Sequence, residues 1–432
     1  MSSIAAPRRV QAPRRPGVRA AVARRVVAVV ADRVPVQVRL PDGTLLGRRS
    51  TDPEVREGWP VLELVRPDAF FARLGRHPKI GIGEGYVAGD WRAGEGTDLA
   101  DLLVPFAARL TSAVPPGLAR FRRLVDRRIP AAQRNSLRGS RSNIEAHYDL
   151  SNELFGAFLD ETLTYSSALF DPSLPLQDQD LAQAQLRKVH AILDRAGVGR
   201  GTRLLEIGTG WGTLAIEAAR RGALVTTVTL SQEQAHLARQ RVTEAGLADR
   251  VEVRLEDYRE VAGSYDAIVS VEMIEAVGEE FWPTYFAALD RLLAPGGTVA
   301  LQAITMSHER YLATRRSYGW IQKHIFPGGL IPSLEAIQQV TTRGTTLRVD
   351  EVHRFGTDYA ETLQRWRRTF TEQWPTISRR GFDEAFRRTW EFYLAYCEAG
   401  FATGYLDVVQ LRLRRPAEAG TPAAPARGML VA

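Results

Sequence analysis

Cysteine is nearly absent: Cys397 is the single thiol in 432 residues. No internal disulfide can form, and the chain fits a reducing, cytoplasmic compartment. The seven histidines show no metal-ligand spacing, so no metal is expected. No apolar run approaches the ~20 residues of a membrane span, and Val26 to Ala31 is too short for a signal-peptide core. Membranes are therefore expected to be reached only from their surface, at the inner face. What the chain does have is material for a large core, with 44% hydrophobic residues and a length that suits two to three domains.

Basic charge is concentrated at one end. Residues 1–33 hold eight arginines against Asp32, so this segment alone carries the net +7 and the remainder is neutral. A Pro- and Arg-rich segment reads as a disordered, solvated tail. Read functionally, it is a cationic strip for anionic phospholipid, at ~1 kcal/mol per basic residue near the surface. Nucleic acid is not expected, because a basic face would have to continue onto the neutral body.

Behind the tail, Val34 to Leu40 alternates at period two, Pro41-Asp42-Gly43 supplies a turn and Thr44 to Gly47 starts a return strand. Helical spacing at Ala69 to Leu74 and Asp98 to Leu110 flanks the Gly-rich stretch Ile80 to Gly85, which suggests a small α+β domain over 34–110. A Pro-, Arg- and Ser-rich linker over 111–142 follows, then a large domain over 143–416 and a frayed tail over 417–432.

In the large domain, strands are expected at Arg203 to Ile207, Ala223 to Leu230, Val251 to Leu255, Asp266 to Val271, Thr298 to Ala303, Leu347 to His353 and Val408 to Leu413. Helices at Trp211 to Arg221, Gln232 to Ala245, Phe281 to Leu293 and Tyr359 to Gln373 alternate with them, apart from an insertion at about 305–343. That order predicts an α/β, doubly wound, Rossmann-like sheet of seven strands.

The first strand ends in Glu206-Ile-Gly208-Thr-Gly210-Trp-Gly212, where glycines at alternate positions let the backbone approach a ligand. This run resembles motif I of the seven-strand S-adenosylmethionine (SAM) methyltransferases, in which the acid anchors the first loop. Five further segments, His147 to Asn152, Thr164 to Ser167, Thr229 to Gln234, Glu272 to Glu275 and Phe326 to Gly329, fall in order with it. Together they resemble the cyclopropane fatty acid synthase family over about 34–416. Val271 to Val277, Gln302 to Met306 and Trp320 to Gly329 are most similar to the actinobacterial branch that makes 10-methylene fatty acids, precursors of tuberculostearic acid.

The resemblance implies site residues one by one. Gly208, Gly210 and Gly212 would lie under the methionine part of SAM, Thr229 and Gln234 against its nucleoside, and Asp257 and Tyr258 against the adenine. Tyr165 and Ser166 match residues that approach SAM from the N-terminal side. A bicarbonate base would be held by Glu275, the Ile304 backbone and Tyr359. Two positions depart from that set: Ser167 stands where the family has Cys, and Gln302 where it has His. Losing the imidazole changes the donor pattern around the anion and leaves a second option, a carboxylate such as Glu275 acting directly. Cys397 aligns with a cysteine sometimes called the family's active-site residue, but the chemistry needs no thiolate, and a lone cysteine in an aromatic helix reads as a small hydrophobe.

Residues 281–326 carry eight aromatics, about twice the chain-wide 8%. Half or more read as core, with Tyr318, Trp320 and Phe326 as the candidates for an acyl channel. The implied reaction adds a methyl-derived carbon to the cis double bond of an unsaturated phospholipid acyl chain through a carbocation. A hydride shift before proton loss gives a 10-methylene branch; direct closure gives a cyclopropane. A lipid- or SAM-binding regulatory protein without activity is the alternative of another class, and the intact glycine motif with Gln234, Glu275 and Tyr359 argues against it. A homo-oligomer, of which a dimer is the simplest, and a reductase acting on the methylene product are the further partners implied.

Overall fold

The computed structural model describes residues 17–47, 58–109 and 152–416. The 111–142 linker, the motif up to Ser151, the first 16 residues and the 417–432 tail lie outside the described residues.

The N-terminal unit is built on a four-stranded sheet of order β2-β1-β3-β4, formed by β1 (Gln37–Arg39), β2 (Leu45–Leu46), β3 (Val61–Leu64) and β4 (Trp91–Ala93). The expected hairpin is β1 with β2, its turn closed by Gly43 at φ +83°. Helices α1 (Val18–Ala31), α2 (Pro67–Arg76), α3 (Pro78–Ala88) and α4 (Leu99–Ala108) pack around it.

One expectation is corrected here. From Val18 onward the basic segment is helix α1, not a disordered tail, and Ala20 and Ala31 are buried in the common core. Apolar residues at 20, 23, 27, 30 and 31 form a helical stripe that the interleaved arginines hide from a compositional reading. The Gly-rich stretch Ile80 to Gly85, to which no element was assigned from the sequence, is part of α3. Its glycines serve close packing: a β-carbon on Gly81 would stand 2.7 Å from the Arg73 backbone, and one on Gly83 would stand 2.6 Å from the Trp320 indole.

The large unit carries a seven-stranded sheet of order β10-β11-β9-β8-β5-β6-β7. Its strands are β5 (Arg203–Ile207), β6 (Leu224–Thr229), β7 (Val251–Leu255), β8 (Tyr265–Val271), β9 (Leu293–Thr305), β10 (Arg348–Arg354) and β11 (Asp407–Arg414). β11 runs antiparallel to both neighbours, and the other adjacent pairs are parallel. β5 is buried over four of its five residues, as a central strand covered on both faces must be. From β5 the chain first winds outward through β6 and β7, then returns to β8 on the other side. The carboxyl ends of β5 and β8 therefore flank the switch point where α/β sheets open a ligand crevice.

Helices complete the layers: α5 (Asn152–Phe158), α6 (Leu181–Arg195), α7 (Thr213–Arg220), α8 (Gln232–Glu244), α9 (Ile274–Val277), α10 (Trp282–Leu292), α11 (His308–Thr314), α12 (Trp320–His324), α13 (Leu334–Gly344), α14 (Gly356–Ser378) and α15 (Glu384–Ala402). The insertion is α11 to α13. One apolar cluster runs from the N-terminal sheet through Trp320 into α14 and α15. Ion pairs join the same surfaces: Arg367 bridges Asp98 (2.8 Å) and Glu398 (2.9 Å), His324 reaches Glu84 (3.2 Å), and Lys323 also pairs with Glu84. The small domain is keyed to the insertion through Glu84 and Trp320, and to α14 and α15 through Arg367 and Glu398.

Candidate active site

A cleft of about 1210 Å³, open mouth included, lies at the switch point. Its walls come from the ends of β5 (Glu206 to Gly210), β6 (Val228 to Leu230), β7 (Glu256 to Arg259) and β8 (Val271 to Met273), with Leu163 to Ser166 and Lys188 across from them. Of the expected cofactor residues, Tyr165, Ser166, Glu206, Gly208, Gly210, Thr229, Gln234, Asp257 and Tyr258 all line it.

Gly212 does not line it. It caps α7 at φ +90°, and a β-carbon there would press on Ala238 at 3.3 Å, so its role is helix packing. Gly210 differs: at φ +52° a β-carbon would meet nothing within 4 Å and would project into open space. The loop is held by the Val228 carbonyl, which accepts from the Gly208 and Thr209 amides at 3.0 and 3.3 Å, and by a 2.7 Å Thr209–Thr227 hydroxyl pair. Glu206 hydrogen-bonds the Thr227 hydroxyl of that pair through its side chain. Its Oε2 is buried without a partner among the described residues, and burial pushes its carboxyl up to about 8.

At the β6 end of the cleft, the Thr229 hydroxyl donates to Gln234 Oε1 at 2.9 Å, which leaves the amide nitrogen as the end available to a ligand. Asp257 is held by Arg259 through Nε (2.8 Å) and Nη2 (2.6 Å), and Arg259 also lies 5.4 Å from the Tyr258 ring centre. Across the cleft, Lys188 is buried on α6 and donates to Ser166 Oγ at 2.5 Å; burial brings its ammonium down to about 8 against the pull of Glu272, Asp160 and Glu206.

A second group of polar side chains adjoins this wall. Glu272 Oε1 accepts from the Ser167 backbone N–H (3.0 Å) and from Gln302 Nε2 (2.9 Å), while Oε2 accepts from the Tyr359 hydroxyl (2.9 Å). Gln302 Oε1 in turn accepts from Gln410 Nε2 at 3.1 Å, which fixes the amide's orientation. Glu275 accepts from the Ile304 N–H, and its Oε2 is buried without a partner among the described residues. Burial and the neighbouring Glu272 push the Glu275 carboxyl up to about 8, so near neutral pH it is mostly the acid, not the direct carboxylate expected. Burial also raises Glu272, but three hydrogen bonds and Lys188 oppose that rise. The two carboxyls thus differ in surroundings: Glu272 faces three donors and a buried lysine, and Glu275 a single backbone N–H.

Backbone strain marks the same place. Leu163 and Glu272 are the two non-glycine residues with left-handed φ among those described, at +54° and +52°, and both line the cleft. Each costs on the order of 1 kcal/mol, which the surrounding contacts must hold in place.

The aromatic expectation needs revision. None of the eight aromatics between 281 and 326 lines the cleft. Trp282, Tyr285, Phe286 and Tyr311 are sheet core. Trp320, an expected channel residue, fills the seam between the domains, edge-on to Phe392 at 4.8 Å. Tyr318 is buried in the same cluster, and Phe326 meets Tyr393 at 5.8 Å. The aromatics that line the cleft are Tyr165, Trp211 and Tyr258, and helices α5, α14 and α15 supply the rings packed behind Tyr165. Tyr165 packs on Trp366 (5.3 Å) and Phe155 (5.1 Å) and shares a 2.7 Å hydroxyl contact with Tyr393. Burial pushes the Cys397 thiol up to about 12, so it stays protonated, and it does not line the cleft.

Sequence reasoning missed Glu272 and Lys188 as site residues. A second acid three residues before Glu275 at a strand end was the available signal for the first. For Lys188 it was a lysine one turn from Ala184 and Ile192 on the buried face of α6.

Residues 135–411 match the family described as mycolic acid cyclopropane synthetase. The chain is 50% identical over 399 residues to the tuberculostearic acid methyltransferase UfaA1 of Mycobacterium tuberculosis, covering 92% of this chain and 91% of that protein. It is 32% identical over 362 residues to the cyclopropane-fatty-acyl-phospholipid synthase of Escherichia coli K12, covering 83% and 89%. Among solved structures it resembles the cyclopropane synthase MmaA2 of Mycobacterium tuberculosis, with TM-score 0.58, 29% identity, and 63% of this chain and 97% of that one covered. The mycolic acid cyclopropane synthase CmaA1 complexed with SAH and CTAB gives TM-score 0.57 at 30% identity, with the same coverage. The seven-strand sheet with its switch-point cleft and these likenesses agree: the chain belongs to the mycolic acid cyclopropane synthetase family of SAM-dependent methyltransferases.

Proposed function

We propose that the chain adds a methyl-derived carbon to the cis double bond of oleoyl groups in membrane phospholipids and releases 10-methylene-stearoyl chains, a step toward 10-methyl branched fatty acids. One observation carries the reading: Gly210, Tyr165 and Glu272 all line one cleft. Room for a methyl donor, an aromatic residue and the edge of the acid box are thereby brought against one space.

Bound SAM supplies an electrophilic methyl group. Gly208 and Gly210 give its methionine part room, Thr229 and Gln234 face the nucleoside, and Asp257 with Tyr258 borders the base. The residues around Tyr165 and Trp366 do the remaining work. An isolated alkene is a weak nucleophile, so the chain must hold it in line and then tolerate a cation. Aromatic faces stabilise such a cation by roughly 0.5–2 kcal/mol each without trapping it covalently. A hydride shift then moves the charge to the methyl-bearing carbon, from which loss of a methyl proton leaves an exocyclic methylene.

The 50% identity to a protein named for tuberculostearic acid favours this product. Cyclopropanation is the second reading, favoured by the 32% identity to the E. coli enzyme. Work on a bilayer substrate calls for a peripheral protein at the inner membrane face, and among the described residues no helix is long and apolar enough to cross a membrane. Helix α1 exposes Val18, Val22, Arg24 and Arg25, a face suited to anionic lipid, and vesicle binding that ignores salt would refute that part. The methylene product needs reduction of its C=C bond, so a reductase is the consuming class. The chain works as a homodimer in this reading, which sedimentation would test.

The direct test incubates the purified chain with dioleoyl phospholipid vesicles and methyl-labelled SAM. Label in the acyl chains at one added CH₂ per chain is expected. SAM binding without labelled lipid would overturn the reading and favour a regulatory protein.

A further inference from the structure

We propose that the carboxylate of Glu272 takes the place of an external anion in this site and is itself the base that removes the final proton, so that the enzyme works without bicarbonate. This rests on the acyl-methylation reading above.

The resemblance implies a bicarbonate held by Ser167, Glu275, Gln302, Ile304 and Tyr359, and the structure lets that fit be tested donor by donor. The Ser167 N–H, the Gln302 amide and the Tyr359 hydroxyl all donate to Glu272. The Ile304 N–H donates to Glu275. The Ser167 and Ile304 N–H groups, the Gln302 amide and the Tyr359 hydroxyl are thus each engaged with a carboxyl group of the chain, and the acid proton of Glu275 is the one donor left over in the set. A second anion would displace one of these and would sit beside a buried carboxylate, so bicarbonate does not fit.

The two departures from the family set gain a reason. Gln302 is a neutral donor locked by Gln410 directly opposite it in the β9–β11 ladder, and it serves a fixed carboxylate. Ser167 contributes its backbone N–H, while its hydroxyl turns to the Ala168 carbonyl at 2.9 Å. The left-handed backbone of Glu272, braced by its own N–H on the Gln302 carbonyl at 2.8 Å, aims the side chain into the box. Lys188, buried on the same cleft wall, supplies the countercharge.

A carboxylate offers about four lone-pair directions, and donors among the described residues occupy three. The open direction is on Oε2, and Glu272 lines the cleft. In the step itself, a C–H bond of the methyl group on the branched cation breaks, its electron pair becomes the second bond of the exocyclic C=C, and the proton moves to Oε2. It passes to water once the product has left.

The test compares wild type, Glu272→Gln and Glu272→Gly in buffer freed of carbon dioxide and in buffer with added bicarbonate. Wild type is expected to turn over equally in both. Glu272→Gln should keep SAM affinity and lose ~10²-fold or more in turnover, the scale of a removed general base. Glu272→Gly opens the box, and added bicarbonate or formate should restore part of its activity. Carbon-13 NMR of labelled bicarbonate should show binding to Glu272→Gly and none to wild type, a readout independent of turnover. Wild-type dependence on bicarbonate, or a Glu272→Gln variant as active as wild type, would overturn the inference while leaving methyl transfer intact. Absence of labelled lipid from wild type in both buffers would instead refute the function on which it rests.

Discussion

Gln302 and Gln410 stand opposite each other on β9 and β11, and the 3.1 Å bond between their side chains turns the Gln302 amide nitrogen onto Glu272. Two amides thus orient a buried carboxyl. Replacing Gln302 by Leu should remove a hydrogen bond to a charged group, on the order of 1.5–3 kcal/mol. A roughly ten- to hundredfold fall in kcat is expected, with SAM affinity unchanged. Equal losses in both would mean that Gln302 only supports the fold.

Gly210→Val should abolish SAM binding in a chain that still folds. The β-carbon would meet no protein atom within 4 Å, so the main cost to the fold is that of the backbone at φ +52°, on the order of 1–2 kcal/mol. Calorimetry giving wild-type affinity for a folded variant would remove Gly210 from the site.

Glu206 and Glu275 both titrate near 8 in the folded chain, well above an exposed carboxyl. Between about pH 4.5 and 8 the folded state therefore holds protons that the unfolded state has released, and stability falls as pH rises. Below pH 4.5 the penalty is absent. Glu275→Gln removes one such proton, so its Tm relative to wild type should rise steadily from pH 5 to pH 8. Melting curves that stay parallel over that range would refute the assignment of a neutral Glu275.

Much of this was legible in the sequence, and what was not has identifiable causes. Strands Arg203–Ile207 and Val251–Leu255 were bounded to the residue because their apolar runs end at turn residues. Helix α1 was hidden by its arginines, and α3 by glycines that normally signal a loop but here let helices touch. The cofactor residues were readable because they sit in consecutive words at strand ends. The acid box was not, because two acids just past β8 meet a loop, β9 and α14 through tertiary contacts, and the donors that face Glu272 and Glu275 come from those three. Trp320 was misplaced for a similar reason: its surroundings come from α3, more than 200 residues away.

Trp320→Ala should therefore act on the domain seam and not on substrate. Truncating a large buried ring typically costs ~3–5 kcal/mol, and this one is 4% exposed. A lower Tm with unchanged SAM affinity and an unchanged KM for lipid is expected. A raised KM at wild-type stability would return Trp320 to the acyl channel.

Proton and carbon NMR of the lipid made from oleoyl phospholipid and methyl-carbon-13 SAM tests the proposed chemistry most directly, since both candidate products add the same CH₂ and mass cannot separate them. The expected result is label in a 1,1-disubstituted alkene, read as vinylic =CH₂ signals. Strongly upfield cyclopropane ring signals as the main product would contradict the 10-methylene assignment.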